Sequence, residues 1–214
     1  YAQEEITTPC GTITQLPWQE QFSTGIGECW YQMLGEISDT ITHASDLLQN
    51  NNGWKYNIYV GGERIYADLS YEYAKYWIIS PSFYLGEGDT TYQLSADIFR
   101  TSHNGSEVAP MPNGDMFAIL VSTDDGLTWN TANALIFGSG ETSNYDYNLS
   151  AFSSEASRVN FKLANENDQP LTGAIRFAFY GEGSTSRMLV DNIEISQWQP
   201  CQTPSMVNVA NITS

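Results

Sequence analysis

Three carboxylates fall where the alternation of this sequence otherwise places apolar side chains. Along Leu16, Trp18, Glu20 and Phe22 every second residue is apolar except Glu20, while Pro17, Gln19 and Gln21 occupy the other face. Near the other end, Leu189, Asp191, Ile193 and Ile195 share one face by the same period, and Val190, Asn192 and Glu194 share the opposite one. Asp115 runs in phase with Phe117, Ile119 and Val121. The pattern therefore points all three acids inward. A buried, unpaired carboxylate is costly, so each must be protonated, paired with Arg or Lys, held by several amides, or bound to a metal. If the first and last strands are neighbours, Glu20 and Asp191 meet at a sheet end and can hold a cation with backbone carbonyls, with Asp115 an outlying member of the set. The alternative is that each acid caps turn amides at a strand end. With 25 acidic against 8 basic residues and a net charge of -17, the chain is rich in the hard oxygen ligands that suit calcium. The same charge repels a phosphate backbone, which argues against nucleic acid as a partner.

The sharpest local motif is Ser122-Thr123-Asp124-Asp125-Gly126-Leu127-Thr128-Trp129, which matches the SxDxGxTW pattern called an Asp box. Asp and Gly suit a tight hairpin turn, the Ser and Thr hydroxyls and the Asp carboxylate can bond turn amides, and Trp129 can cap the core beside it. That is a structural role. The five arginines, Arg64, Arg100, Arg158, Arg176 and Arg187, form no recognisable catalytic triad context. His43 and His103 lie far apart, and no GxSxG, HExxH, Walker or dinucleotide-binding motif occurs. A glycoside hydrolase needs only two carboxylates at the right separation, so that enzyme class stays open on composition, but nothing nominates a nucleophile and base. The stretch containing Tyr66, Tyr71, Tyr73, Tyr76 and Trp77 offers flat aromatic faces near Asn and Asp. Tyr71, Tyr73, Tyr76 and Trp77 are the candidates for a sugar-stacking platform, against the plainer alternative of strand packing.

The elements that must position these residues are strands. Runs at Tyr92 to Phe99, Met116 to Thr123, Val159 to Leu163, Ala174 to Tyr180 and Met188 to Ile195 are strand-like, and an Asn cluster at Gln49 to Gly53 turns into another at Trp54 to Val60. Thr40 to Leu48 has room for a short helix. Many short strands separated by Gly, Asn and Asp turns predict an all-β sandwich or barrel. A chain of 214 residues can bury one substantial core, and it has no apolar run near the ~20 residues a membrane helix needs. Of three cysteines, Cys10 and Cys29 can close a short N-terminal loop, leaving Cys201 over, and none has zinc-site spacing.

As a whole the chain resembles the cleaved adhesin domain family, the adhesin modules of gingipain-type proteins on the surfaces of Gram-negative anaerobes. The likeness is carried by Cys10 ahead of Leu16 to Phe22, then Cys29-Trp30, Trp54, Tyr76 to Pro81, Leu94 to Asp97, Val121 to Trp129, Ile175 to Phe179 and Val190 to Ile195. The resemblance implies a MAM-like jelly-roll sandwich of two antiparallel sheets over residues 13–198, after an exposed leader at 1–12. Residues 199–214 resemble a linker and the start of a fibronectin type III module. It further implies a secreted, surface-exposed, non-catalytic adhesion module with bound calcium, and matches the candidate ligands Glu20 and Asp191. Where family members carry an Asp/Gly-rich loop before the counterpart of Trp54, this chain has Gln49 to Gly53, with Asp46 upstream. The partners expected are a host protein, a glycan, or neighbouring domains of the parent chain. A carbohydrate-binding module using the aromatic segment is the second reading, and a glycan-processing hydrolase the third.

Overall fold

The computed structural model describes residues 10–57, 63–69, 74–103, 114–138 and 152–199, together with the backbone of 147–148. Its strands are β1 (Trp18–Glu20), β2 (Tyr31–Leu34), β3 (Ile41–His43), β4 (Leu48–Gln49), β5 (Trp54–Asn57), β6 (Arg64–Asp68), β7 (Ala74–Ile79) and β8 (Phe83–Tyr84). They continue as β9 (Tyr92–Ser102), β10 (Met116–Ser122), β11 (Thr128–Asn130), β12 (Ala134–Gly138), β13 (Tyr147–Asn148), β14 (Ser157–Leu163), β15 (Ala174–Gly183) and β16 (Ser186–Gln197). One sheet has the order β14-β9-β16-β6-β5 with β1 also on β16. The other runs β13-β12-β10-β15-β7-β2-β4 with β8 also on β15. The chain is the all-β sandwich that its turn spacing predicts. Pairing between the named strands is antiparallel except at the sheet's edge, where β12 and β13 run parallel, Phe137 against Tyr147.

Period-two alternation builds the core between the sheets. Leu94, Ala96 and Ile98 on β9 face Phe117, Ile119 and Val121 on β10 and Ile175, Phe177 and Phe179 on β15, all of them buried. Each such apolar side chain contributes roughly 1.5–3 kcal/mol when fully removed from water. The rings interlock: Phe83 stacks on Phe177 at 5.7 Å, and Trp18 meets Phe83 edge-on at 4.7 Å.

β10 is buried along its whole length, because the outer face of its sheet is also covered. Met116, Ala118 and Leu120 join Trp77, Ile79, Tyr180, Leu47 and Trp129 in a second cluster on that outer face. This two-sided burial explains the uninterrupted apolar run from Met116 to Val121. The cover comes from the segment expected to be a short helix at Thr40 to Leu48. It instead forms β3, a 3-10 turn at Ala44–Asp46 and β4. β-branched Ile41 and Thr42 take extended backbone, and β3 pairs with β11 through Thr42 and Trp129.

Cys10 and Cys29 are disulfide-bonded, and Ile13 exchanges backbone hydrogen bonds with Ser82 and Tyr84. The described part of the expected leader is thus tied to the sandwich from Cys10 onward. Tyr1 to Pro9, Cys201 and the tail from Pro200 lie outside the described residues.

Candidate functional site

The expected meeting of first and last strands occurs. β9 lines one edge of β16 along its length, and the other edge is shared by β6, against Arg187 to Val190, and β1, against Ile193 to Ile195. In the gap between β6 and β1 the ladder slips, and Asn192 takes a left-handed φ of 46°. This β-bulge changes the parity of the strand. Met188 and Val190 face the core before it, and Ile193 and Ile195 after it. Asp191 is therefore on the face away from the inter-sheet core, directly across from Asp97, and not inward with Ile193 as strict alternation expects. Glu20, paired with Ile193, does lie on the inner side.

The bulge gathers charge. Arg158 spans Asp97 at 3.2 Å and Glu194 at 3.3 Å and also donates to the Asn192 carbonyl. The Asn192 amide donates to Asp97 at 2.8 Å. Asp191 accepts the backbone N–H of Asn192 at 2.7 Å, and Glu20 accepts that of Phe22 at 2.7 Å, so both acids also cap turns. Burial pushes the Asp191 carboxyl up, and Asp97 and Glu20 push it further, against the opposing pull of the Asn192 N–H and Arg64. Among the described residues no three His, Cys, Asp or Glu side chains are arranged to share one metal ion.

Asp115 belongs to a different place. It is inward and buried, as its phase predicts, but its neighbours are the Ser184 N–H at 3.1 Å and the charge of Arg100. Burial raises its pKa, and the Ser184 and Ser186 hydrogen bonds and Arg100 lower it. Arg100 donates to the Phe152 carbonyl and Ser186 hydroxyl, and its own pKa is lowered by burial. A Cβ on Gly183 would sit 2.9 Å from the Asp115 carboxyl, so only glycine lets the strand pass there. The Ser184 and Ser186 hydrogen bonds and the nearby Arg100 charge are what offset its burial.

The Asp box closes its turn with the side-chain bonds expected of it. Ser122 donates to Asp124 at 2.6 Å and accepts the Gly126 N–H at 2.8 Å. Thr128 gives Asp124 both its N–H at 2.9 Å and its hydroxyl at 2.6 Å. Asp125 and Gly126 take left-handed φ values of 56° and 90°, but the turn is not the expected hairpin, since β10 pairs with β12 and β15 and β11 pairs with β3. Trp129 is then delivered into the outer cluster, 5.9 Å from the Trp77 ring. Trp77 is itself fully buried and its indole N–H donates to the Gly35 carbonyl at 2.8 Å. Tyr76 is half-buried against the core, its ring lying over Gly53. Neither is a surface platform: Trp77 is packed into the outer cluster and Tyr76 against the inner core. Tyr71 and Tyr73 lie outside the described residues.

A cleft that the sequence did not nominate opens instead where β2 and β4 meet the loop at Ile26 to Glu28. It measures about 610 Å³ and is lined by Trp30, Tyr31, Gln32, Gln49, Asn51 and Glu28, among others. Tyr31 is 45% exposed. Over its ring the Arg176 guanidinium sits 5.3 Å from the centroid, fixed by Asp125 at 3.0 Å and the Ser80 carbonyl at 2.9 Å. The Gln32 side-chain oxygen accepts the Trp54 N–H at 2.8 Å. The signal available in sequence was weak: aromatic and amide residues in Cys29 to Met33 and Gln49 to Asn51, two segments that only sheet pairing brings together. A second, smaller hollow of about 70 Å³ lies at the bulge, between Gln19, Gln21, Arg158 and Glu194.

No family model matches the sequence, and no curated protein matches it. The fold is similar to that of the K1 cleaved adhesin domain of Lys-gingipain from Porphyromonas gingivalis W83. The match has 14% identity, covers 86% of this chain and 100% of that domain, and has a TM-score of 0.50. The K3 cleaved adhesin domain of the same protein is also similar, at 14% identity over 84% of this chain and 98% of that one, TM-score 0.44. So is TmCBM61, solved with β-1,4-galactotriose, at 12% identity over 83% of this chain and 94% of that one, TM-score 0.46. The K1 likeness establishes a shared β-sandwich fold. Among the described residues no helix is long and apolar enough to cross a membrane.

Proposed function

We propose that this chain is a non-catalytic ligand-binding module of a larger secreted bacterial surface protein, working in adhesion and stabilised by a calcium ion between Glu20 and Asp191. The observation that carries the binding reading is the cleft at Tyr31. It presents an exposed aromatic ring and side-chain amides on paired strands, beside a core closed by packed rings. Binding residues held on a rigid scaffold are what a recognition module requires. The K1 domain, whose fold this chain shares, is by its name a cleaved adhesin domain. The Cys10–Cys29 disulfide fits an oxidising, extracytoplasmic setting.

The donors at the bulge suit a hard cation. Glu20 ends β1 and Asp191 precedes the bulge of β16; the carboxyl that burial and two like charges hold high is the one a cation would relieve. With two acids supplied by side chains, backbone carbonyls and water would complete the shell. Calcium there would clamp β1 to β16 and supply charge balance, not catalysis.

Adhesion is tested by measuring the binding of the labelled chain to host cells and to purified surface proteins and glycans. Saturable binding without turnover is the expected result. Hydrolysis of labelled glycans at a rate above that of buffer would overturn the non-catalytic reading.

A further inference from the structure

We propose that the cleft beside Tyr31 recognises a short neutral oligosaccharide; the inference rests on the binding-module reading and assigns its ligand class. A sugar ring offers an apolar C–H face edged by hydroxyls that donate and accept in neighbouring pairs. The cleft carries the complement of both. Tyr31 stands out from β2 with 45% of its surface exposed, whereas the adjacent Trp30 is 7% exposed. The Tyr31 ring packs against Arg176, which the Asp-box residue Asp125 and the Ser80 carbonyl hold in place. An exposed ring held this way is a stacking surface that loses little freedom on binding.

The amides supply the hydroxyl recognition. Gln49 and Asn51 are exposed, and neither side chain makes a hydrogen bond within the described residues. Gln32 commits its oxygen to the Trp54 N–H and keeps its NH2 group to donate. Planar amides donate and accept from one plane, which matches vicinal hydroxyls. The volume of about 610 Å³ lies within the range of small-ligand sites.

Charge narrows the class further. Glu28 lines the cleft and the chain carries a net charge of -17, which disfavours sialylated, sulfated or phosphorylated glycans. A peptide adding as a strand would need an edge ladder, and β4, the edge strand here, is two residues long.

The test is a printed array of neutral oligosaccharides with sialylated and sulfated controls, followed by calorimetry on the best neutral binder. The expected result is binding to neutral glycans that falls about tenfold in Tyr31→Ala, survives in Tyr31→Trp, and falls about threefold in Gln49→Ala and Asn51→Ala. All three positions are exposed, so unchanged melting temperatures should accompany these losses. Binding confined to charged glycans, or binding to neutral ones that Tyr31→Ala leaves intact, overturns the assignment. If no glycan binds but the chain still adheres to host cells through a protease-sensitive receptor, the glycan assignment falls and the adhesion reading stands. If neither glycan nor cell is bound, both fall.

Discussion

Asp124 and Asp191 are both half-buried aspartates at interruptions of strand structure, and the fold treats them in opposite ways. Partial burial pulls the Asp124 carboxyl up, but hydrogen bonds from Ser122, from Thr128 twice and from the Leu127 backbone outweigh it and hold the group below the usual carboxylate range. Asp191 has one backbone N–H of its own, sits opposite Asp97 near Glu20, and is held above that range. One carboxylate is fully served by donors within its own turn. The other has gathered like charges faster than donors. The difference teaches where an added cation could help: a turn that solvates its own anion gains nothing from one, whereas a bulge that crowds anions does.

The largest effect that should separate them is on the turn. Asp124→Ala removes the acceptor of three hydrogen bonds made by Ser122 and Thr128 and loosens the strand that delivers Trp129. A loss of about 3 kcal/mol is expected in urea unfolding, the same with EDTA or calcium present. The next effect belongs to the bulge. Free calcium at about 100-fold above its dissociation constant should stabilise the chain by about 2.7 kcal/mol, seen as a melting temperature several degrees above that in EDTA. Glu20→Gln or Asp191→Asn should abolish that rise, and Asp115→Asn should leave it in place. A calcium response that is absent in the native chain, or that also disappears in Asp124→Ala, would erase the distinction between the two regions.

How much of this was legible in the sequence divides along the same line. The turn of the Asp box was legible, because the bonds among Ser122, Asp124, Gly126 and Thr128 lie within eight consecutive residues and its geometry is set by Asp and Gly backbone preferences, whereas the pairing of β11 with β3 was not. The sandwich was legible from period two, and the inward phases of Glu20 and Asp115 held. Asp191 was misplaced because one extra residue at Asn192 reverses strand parity, and nothing in Val190-Asp191-Asn192-Ile193 announces a bulge. Trp77 and Tyr76 looked like a platform because aromatic residues mark strands and sugar sites alike. Only the packing shows Trp77 in the outer cluster and Tyr76 against the inner core. The cleft was illegible for the converse reason. Tyr31 and Asn51 come from segments joined by long-range pairing, and a single exposed tyrosine has no periodic signature.

The smallest expected effect is also the one in which the two aspartates differ in sign. A carboxyl whose folded pKa is raised binds more protons in the native state than in the unfolded state, between the ordinary aspartate value of 3.8 and its raised value. In calcium-free buffer Asp191 therefore adds stability as pH falls into that window and withdraws it as pH rises through the folded pKa. Asp124, held low, contributes stability that is present above 3.8 and is lost as pH falls through its folded pKa. On acidification from neutral pH the favourable change at Asp191 comes first and the unfavourable change at Asp124 follows. Asp115 is raised as well and shares the sign of Asp191, so the native profile alone cannot separate those two. The difference between native and Asp191→Asn profiles can. In EDTA the variant should be more stable at neutral pH by about 0.5–1 kcal/mol, with the gap closing as pH falls toward 4. A gap that widens on acidification would mean that Asp191 is stabilised as an anion by Arg64, and the bulge would then be a satisfied ion pair with no call for a cation.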